Sequence, residues 1–525
     1  MYKKILIIAL TLPMWISGCA TNAVTGKNEF RFPGAGAQAV AAGKAQYAPM
    51  RQSQGGDYDN VDPQLTAYVN DIGQRLAQVS RQQNGQNFQY EFKVLNNSVP
   101  NAWALPGGKI ALNRGLLTEM NSEAELAAVI GHEIVHAAAE HSAAQMSKGM
   151  LLQGAMIATQ IGTAGSDYAQ LAQIGASVGG QLALAKFGRN AELESDLYGM
   201  EYMVGAGYDP QGAVDLQKTF VRLSEGRNSD WLSGLFASHP PSQERVNRNI
   251  QTAARLGAGG DLGVSRFQQM LATLKSRKPA YDAYDEGRAA LAQGDIATAA
   301  RRAETAVNLL PSESHFHALQ GDIALKQKNY SAAKANFDRA ISLNRNFFYN
   351  HLQRGLIYSE TGNIAQAKQD LQNSISLLPS LPAYYHLGNI AKQERDYESA
   401  KQYYAQVAQG AGNSAIGQEA YGSLVELDLA DNPSKYIQVQ TGYQNGQMLA
   451  QITNTTPRAV GDLQIIMQYT DATGRTQQGS KVLQGVLEAQ SKQVINLGIQ
   501  NPTEAMVRSF KAQVVRAQLA GNRLR

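Results

Sequence analysis

His132 and His136 stand four residues apart in the run His132-Glu133-Ile134-Val135-His136. On a helix, positions i and i+4 share a face, so both imidazoles can reach one cation. Glu133, one position round, can hold a carboxylate over a water beside that cation. This is the pattern of a metal-assisted hydrolase, in which zinc activates water and the Glu handles its proton. The competing reading is a buried amphipathic helix that happens to hold two histidines.

Two histidines leave a catalytic zinc one protein ligand short, with water in the remaining position. Residues 189–204 read as a helix that ends at Gly205-Ala206-Gly207. Glu192 and Asp196 lie four apart on one face of it. Either can bind the metal while the other holds a histidine ring from behind. Glu194 points elsewhere and is a weaker candidate. On this segment alone, a solvated acidic face is the simpler explanation.

The elements that must position these groups are also readable. Ser122 followed by Glu125 is a capping-box pattern ahead of Leu126, Val129 and Ile130. It predicts a helix starting near Ser122 that carries the motif in its third and fourth turns. Gly131 removes a side chain where a metal, a substrate or a second helix could approach. Upstream, Val94-Leu95 and Ile110-Ala111-Leu112 flank Pro106-Gly107-Gly108, which predicts a hairpin. Its edge at Asn101, Ala102, Trp103 and Ala104 offers backbone pairing to an extended substrate. An ordinary structural hairpin fits equally well. His239 precedes Pro240-Pro241, which holds its backbone extended. His141, five past His136, falls off the ligand face and reads as structural.

Taken together, the stretches resemble the HtpX/BepA/Ste-type (CAAX-protease-like) zinc metallopeptidase family. The matching patterns are HExxH at 132–136, E-x-x-[AS]-D-x-x-G at 192–199, N-A-x-A-x-P-G-G at 101–108 and S/T-H-P-x-x-x-x-R at 238–245. The resemblance implies one Zn2+ per chain held by His132, His136 and Glu192, with Asp196 orienting a histidine and Glu133 as general base. Ser195 stands where the family usually has Ala. His239 is implied as an extra metal ligand that holds the enzyme inactive until it moves. Arg245 reads as a structural ion-pair partner.

The start of the chain reads as an address. Lys3 and Lys4 precede Ile5-Leu6-Ile7-Ile8-Ala9-Leu10, and Ile16-Ser17-Gly18-Cys19 resembles a lipobox. Cys19 is the single cysteine in 525 residues. It forms no intramolecular disulfide, and lipidation gives it a role. Ala20 rather than Asp after it suggests sorting to the outer membrane. Residues 1–18 are thus expected to be a signal peptide, with the protein lipid-anchored in the periplasm at the inner leaflet of the outer membrane. Removing residues 1–18 takes two lysines and no acids, so the net charge falls from +4 to +2. Without a long basic run, nucleic acid is not an expected partner. Residues 150–184 are apolar and rich in Ala and Gly, but Gln153, Gln160, Asp167, Gln170 and Gln173 recur through them. They read as one or two small-residue helices beside the site, a lid rather than a membrane span.

Ala299, Ala333 and Ala367 repeat at 34 residues and Ala400 follows after 33. Gly294-Asp295, Lys328-Asn329, Gly362-Asn363 and Arg395-Asp396 mark turns between paired helices. The period resembles tetratricopeptide repeats, here four helix pairs stacked as a solenoid. From about residue 433 short alternating segments separated by turns such as Asn445-Gly446 predict an antiparallel β-sandwich, with Met506-Val507 joining its late strand.

The expected organisation has five parts: signal 1–18, a tether and first helix at 19–56, a mainly α metallopeptidase domain with a small sheet at 57–270, repeats at 279–425 and the sandwich at 433–525. BepA-like lipoproteins combine this protease with such repeats. That analogy implies hydrolysis of misfolded or stalled envelope proteins, with the repeats recruiting substrates or the outer-membrane assembly machinery. The alternative is a latent protease that acts mainly as a chaperone-like scaffold through its repeats.

Overall fold

In the computed structural model the described residues are 19–31, 34–145, 187–226, 233–412, 414–471 and 473–521. The expected signal peptide and the expected lid at 150–184 lie outside them. The chain divides into two units, one ending at Phe347 and the other beginning at Phe348.

Caps set the helices of the first unit. Asp62 accepts from the Leu65 amide at 3.1 Å and Pro63 opens helix α2 (Pro63–Asn84), after α1 (Ala35–Ser53). Ser122 accepts from the Glu125 amide at 3.1 Å and starts α3 (Glu123–Ala138), the HExxH helix. The Glu125 carboxylate reaches back to the Asn121 amide, one residue earlier than the capping-box pattern has it. Every residue of α3 is buried, so it is the central helix of the unit rather than an amphipathic one.

A three-stranded sheet lies beside it, built from β3 (Glu91–Leu95), β4 (Ala102–Leu105) and β5 (Lys109–Asn113) in the order β3-β5-β4. The hairpin around Pro106-Gly107-Gly108 joins β4 to β5, and β3 pairs with β5 in parallel. The expected pairing across the turn was therefore wrong in one strand: Ala102–Leu105 precedes the turn, and Val94-Leu95 lie on the far side of β5. The edge read at Asn101, Ala102, Trp103 and Ala104 is β4, which pairs with β5 at one side of the sheet with both its faces buried.

Helix α4 (Arg189–Gly205) crosses α3 where two glycines meet. A Cβ on Gly131 would stand 2.9 Å from the Gly199 carbonyl oxygen, and one on Gly199 would stand 2.9 Å from the His132 nitrogen. That contact brings the Glu192 face of α4 against the histidines of α3. Helices α5 (Gln211–Gly226), α6 (Ser233–Ser238) and α7 (Gln243–Leu256) line the cavity beside them, and α8 (Val264–Ser276) packs at the start of α3, where Arg266 donates to Glu123 at 2.5 Å.

The first repeat helices belong to the same unit: α9 (Lys278–Ala292), α10 (Ile296–Leu309), α11 (Ser314–Lys326) and α12 (Tyr330–Leu343). Glu313, 1% exposed, takes hydrogen bonds from Asn96 Nδ2 at 3.1 Å and from Tyr281 Oη at 2.7 Å. Residues 19–31 are not a loose tether. They form a hairpin of β1 (Cys19–Thr21) and β2 (Asn28–Phe30), and Arg31 donates to the Ala139 carbonyl at 2.7 Å.

The second unit continues the helix pairs with α13 (Phe348–Glu360), α14 (Ile364–Leu377), α15 (Leu381–Gln393), α16 (Tyr397–Ala411) and α17 (Ala415–Asp428). The alanines at the 34-residue period, Ala299, Ala333, Ala367 and Ala400, are all fully buried. Two three-stranded antiparallel sheets follow. One holds β6 (Ile437–Gln444), β7 (Gln447–Asn454) and β10 (Lys492–Gln500); the other holds β8 (Val460–Thr470), β9 (Thr476–Leu483) and β11 (Lys511–Leu519). Ile452 and Ala450 of the first share one apolar core with Ile465 and Val514 of the second, which is the expected sandwich. Met506 and Val507 lie in a short helix, Glu504–Ser509, rather than in a strand. Thr503 caps that helix, accepting from the Met506 amide, which gives these residues a local alternative to the ladder.

Candidate metal centre

Four side chains from three separate stretches converge at the α3–α4 crossing. His132 Nε2 lies 3.0 Å from His136 Nε2 and 3.3 Å from His239 Nδ1. Glu192 Oε1 lies 3.3 Å from His136 Nε2 and 3.1 Å from His239 Nδ1, and Glu192 Oε2 lies 3.5 Å from His132 Nε2. All four are buried, and one donor atom of each falls within a 4.8 Å group. A tetrahedral zinc with ligand bonds near 2.0–2.1 Å needs donors about 3.3 Å apart. The five separations given above, 3.0 to 3.5 Å, lie around that value and the whole donor group stays within 4.8 Å, so the residues can converge on such an ion.

The electrostatics agree. Glu133, Glu192 and Asp196 are buried carboxylates with Arg245 as the one guanidinium among them, an excess of negative charge that suits a divalent cation. Burial penalises the charged Glu192, but His239 and His132 outweigh it and hold its carboxyl well below the usual range. Burial pushes the Glu133 carboxyl up, against the pull of His239 and His132, as suits a group that must take a proton. One Glu133 oxygen has no hydrogen-bond partner among the described residues.

The supports are specific. His132 Nδ1 lies 2.9 Å from Asp196 Oδ1, and Arg245 grips both Asp196 oxygens at 2.7 Å. Arg245 also stands 2.9 Å from Glu192 Oε2, so it serves both Glu192 and Asp196. His239 follows α6 directly, with its amide on the Leu235 carbonyl at 2.8 Å, and its Nε2 is 3.5 Å from Glu133 Oε1.

Of the edge-strand residues, Ala102 lines the cavity that opens on His132 and Glu133. Trp103 turns instead to the opposite side and packs edge-on against Tyr47 with centroids 6.0 Å apart. Asn101 and Ala104 are buried. Cys19 is the first residue of β1.

Two residues set aside by the spacing argument stand next to the site. His141 Nδ1 is 3.0 Å from His136 Nδ1, and Glu194 Oε2 is 3.7 Å from His141 Nε2. The i+5 argument assumed a continuous helix. Helix α3 ends at Ala138, and Glu140 takes a left-handed φ of 52° that turns His141 back toward the motif. No glycine marks that turn, so the sequence carried no stop signal there. Phe187 stacks on the His136 ring with centroids 3.9 Å apart.

An HExxH helix crossed by a second helix that brings a Glu and its partner Asp to the same buried cluster is the arrangement of a metallopeptidase. Residues 63–252 match the Peptidase family M48 model, and residues 314–347, 349–380 and 381–409 match the tetratricopeptide repeat model. The chain thus carries an M48 metallopeptidase domain joined to tetratricopeptide repeats. The "Metalloprotease YcaL" of Escherichia coli (strain K12) is 28% identical over 245 residues, covering 46% of this chain and 94% of that protein. The "Beta-barrel assembly-enhancing protease" of the same organism is 29% identical over 192 residues, covering 35% of this chain and 38% of that protein. Its namesake in Yersinia pestis is 32% identical over 216 residues, covering 40% and 43%. The chain therefore spans nearly all of the first relative and about two fifths of the other two. Among the described residues no helix is long and apolar enough to cross a membrane.

Proposed function

We propose that the protein is a zinc endopeptidase of the cell envelope, with His132, His136 and Glu192 as the metal ligands and Glu133 as general base. The convergence of four buried donor atoms within 4.8 Å of one another, beside Glu133, supports this reading. When bound, zinc lowers the pKa of an adjacent water and polarises the scissile carbonyl. Glu133 takes the proton of the attacking water and delivers it to the leaving amine. Asp196, clamped by Arg245, keeps the His132 ring turned with Nε2 toward the cluster. The backbone edge at Asn101, Ala102, Trp103 and Ala104 seats an extended substrate, a role supported by the place of Ala102 beside Glu133.

His239 gives the site a second state. Its Nδ1 lies 3.1 Å from Glu192 Oε1 and 3.3 Å from His132 Nε2, so it would compete with a reactive water for a metal held by His132, His136 and Glu192. The protein is therefore latent until the loop after α6 moves. This geometry also favours the second reading, in which the chain spends most of its time as a binding scaffold through its repeats.

Relatives named for β-barrel assembly support a role on misfolded or stalled envelope proteins, with the repeats recruiting substrates or assembly machinery. Lipidation at Cys19 would anchor the chain in the periplasm at the outer membrane. Because Cys19 is the first residue of β1, no free linker would separate that anchor from the peptidase domain.

The test is metal content by mass spectrometry together with cleavage of an unfolded protein by wild type and His239→Ala, before and after chelation. The expected result is one zinc per chain, chelator-sensitive cleavage and a faster His239→Ala. Zinc-loaded wild type and His239→Ala that both leave the substrate intact would overturn the enzyme reading.

A further inference from the structure

His132 and His136 face the cluster with Nε2, but their far nitrogens are supported differently. Behind His132 stands a carboxylate, Asp196, at 2.9 Å. Behind His136 stands a second imidazole: His141 Nδ1 at 3.0 Å. Beyond it lies Glu194 Oε2, 3.7 Å from His141 Nε2, and Glu194 Oε1 accepts from Lys27 Nζ at 2.7 Å. His141 is 6% exposed and Glu194 is shielded on its side chain to 18%.

The protons in this row can be placed. A metal takes the lone pair of His136 Nε2, which leaves the neutral ring's hydrogen on Nδ1. That N–H needs an acceptor. The nearest is His141 Nδ1, which can accept only if His141 carries its own hydrogen on Nε2. That hydrogen then faces Glu194. His141 Nδ1 fixes the tautomer of His136, while Glu194, held by Lys27, stands 3.7 Å from His141 Nε2, beyond hydrogen-bond length, and favours a hydrogen there through its charge.

The backbone is arranged to keep His141 there. Ala139 and Glu140 end the helix, and Glu140 adopts the left-handed conformation, which is unfavourable for a residue with a Cβ. Arg31 pairs with the Glu140 carboxylate, and Arg31 and Asn22 both donate to the Ala139 carbonyl, at 2.7 and 3.4 Å. The N-terminal hairpin thus stabilises the turn that delivers His141.

We propose that His141 and Glu194 are positioning residues for His136: they hold its ring as the Nδ1–H tautomer with Nε2 toward the metal, and residues 19–31 are part of the metal site's support. This inference rests on the metal-centre reading above. It assigns the two metal-binding histidines unequal backing, a carboxylate for one and a neutral imidazole relay for the other.

The test is zinc affinity of the full chain, measured by competition with a chromophoric chelator, for wild type, His141→Ala, His141→Gln, Glu194→Gln and the double variant His141→Ala/Glu194→Gln. His141→Ala is expected to weaken zinc binding about 10- to 100-fold. His141→Gln, whose side-chain oxygen can accept from His136 Nδ1–H, is expected to recover most of that loss. Glu194→Gln is expected to cost a smaller factor, with nothing further lost in the double variant. Thermal unfolding of the metal-free proteins separates positioning from packing, since a packing defect lowers both variants at His141 alike. Wild-type affinity in both His141→Ala and Glu194→Gln overturns the proposal, as does equal loss in His141→Ala and His141→Gln. Failure of wild type to bind zinc overturns the metal-centre reading itself and this inference with it.

Discussion

Ser195 sits at the heart of the site and does nothing visible there. It is fully buried, and its hydroxyl has no hydrogen-bond partner among the described residues. A buried hydroxyl without a partner costs about 1–3 kcal/mol of desolvation. The family pattern usually places Ala at this position, and the burial explains the preference. Ser195→Ala is therefore expected to leave the melting temperature unchanged or raise it, with zinc content unaltered; a clear fall in melting temperature would show that Ser195 has a partner. Other residues at this scale were legible because chemistry restricts them to few types. His132, His136, Glu133 and the Glu192–Asp196 pair could be picked out by spacing, and the structure gathers His132, His136 and Glu192 with His239 into one buried cluster. His141 was not legible, since the left-handed Glu140 that returns it to the site is an unfavourable conformation no local residue preference announces.

At the scale of elements, the site depends on how closely α3 and α4 approach. Gly131 and Gly199 form that crossing, and each would push a methyl group to 2.9 Å from backbone of the other helix. Backbone cannot yield as a side chain can. Gly199→Ala is expected to destabilise the first unit by about 1–3 kcal/mol and to weaken zinc binding, because Glu192 rides on the same helix. Measuring the melting temperature and zinc affinity together checks this; wild-type values for both would remove the crossing from the account. The helix of the motif could be read from Ser122, and α4 from the glycines at its end, because caps are local signals. The sheet was read less well. Strand β4 has no polar alternation, and the parallel pairing of β3 with β5 depends on long-range packing that no turn residue encodes. The repeats were legible for the opposite reason: each repeat solves the same packing problem. Gly287, Gly321, Gly355 and Gly388 add a second track at the same period, with Gly321 against Phe337 and Gly388 against Tyr404.

At the scale of the molecule, the peptidase domain and the first repeats share one buried network. Glu313 begins helix α11 of the repeats yet accepts from Asn96 after β3, while Tyr281 Oη reaches Tyr58 Oη at 3.2 Å. Arg114 lies over the Tyr281 ring, 3.3 Å from its centroid. Glu313→Ala removes the acceptor of Asn96 Nδ2, the nearer acceptor of Tyr281 Oη and the cap on the His315 amide, and is expected to cost about 2 kcal/mol, seen as a lower melting temperature of the first unit. An unchanged transition would mean the network is not needed for the unit's stability. His315 makes the same region sensitive to acid. Burial pulls its imidazole down to about 4, against the opposing pull of Glu313. An unfolded histidine titrates near about 6.5. As pH falls below that value the unfolded chain gains a proton that the folded chain refuses, so stability drops between about pH 6.5 and 4 and levels off below. The melting temperature of wild type is expected to fall over that window, and His315→Gln should show a shallower fall. An identical pH profile for the two proteins would assign the loss to other groups.

The central claim is that Glu133 does the proton work of a zinc peptidase. Its most direct test is cleavage of an unfolded protein by Glu133→Gln at matched zinc content, in both the wild-type and the His239→Ala chain. Both Glu133→Gln proteins should retain one zinc per chain and lose at least about 100-fold in rate relative to their parents. Zinc-loaded Glu133→Gln that cleaves as fast as its parent would contradict the account.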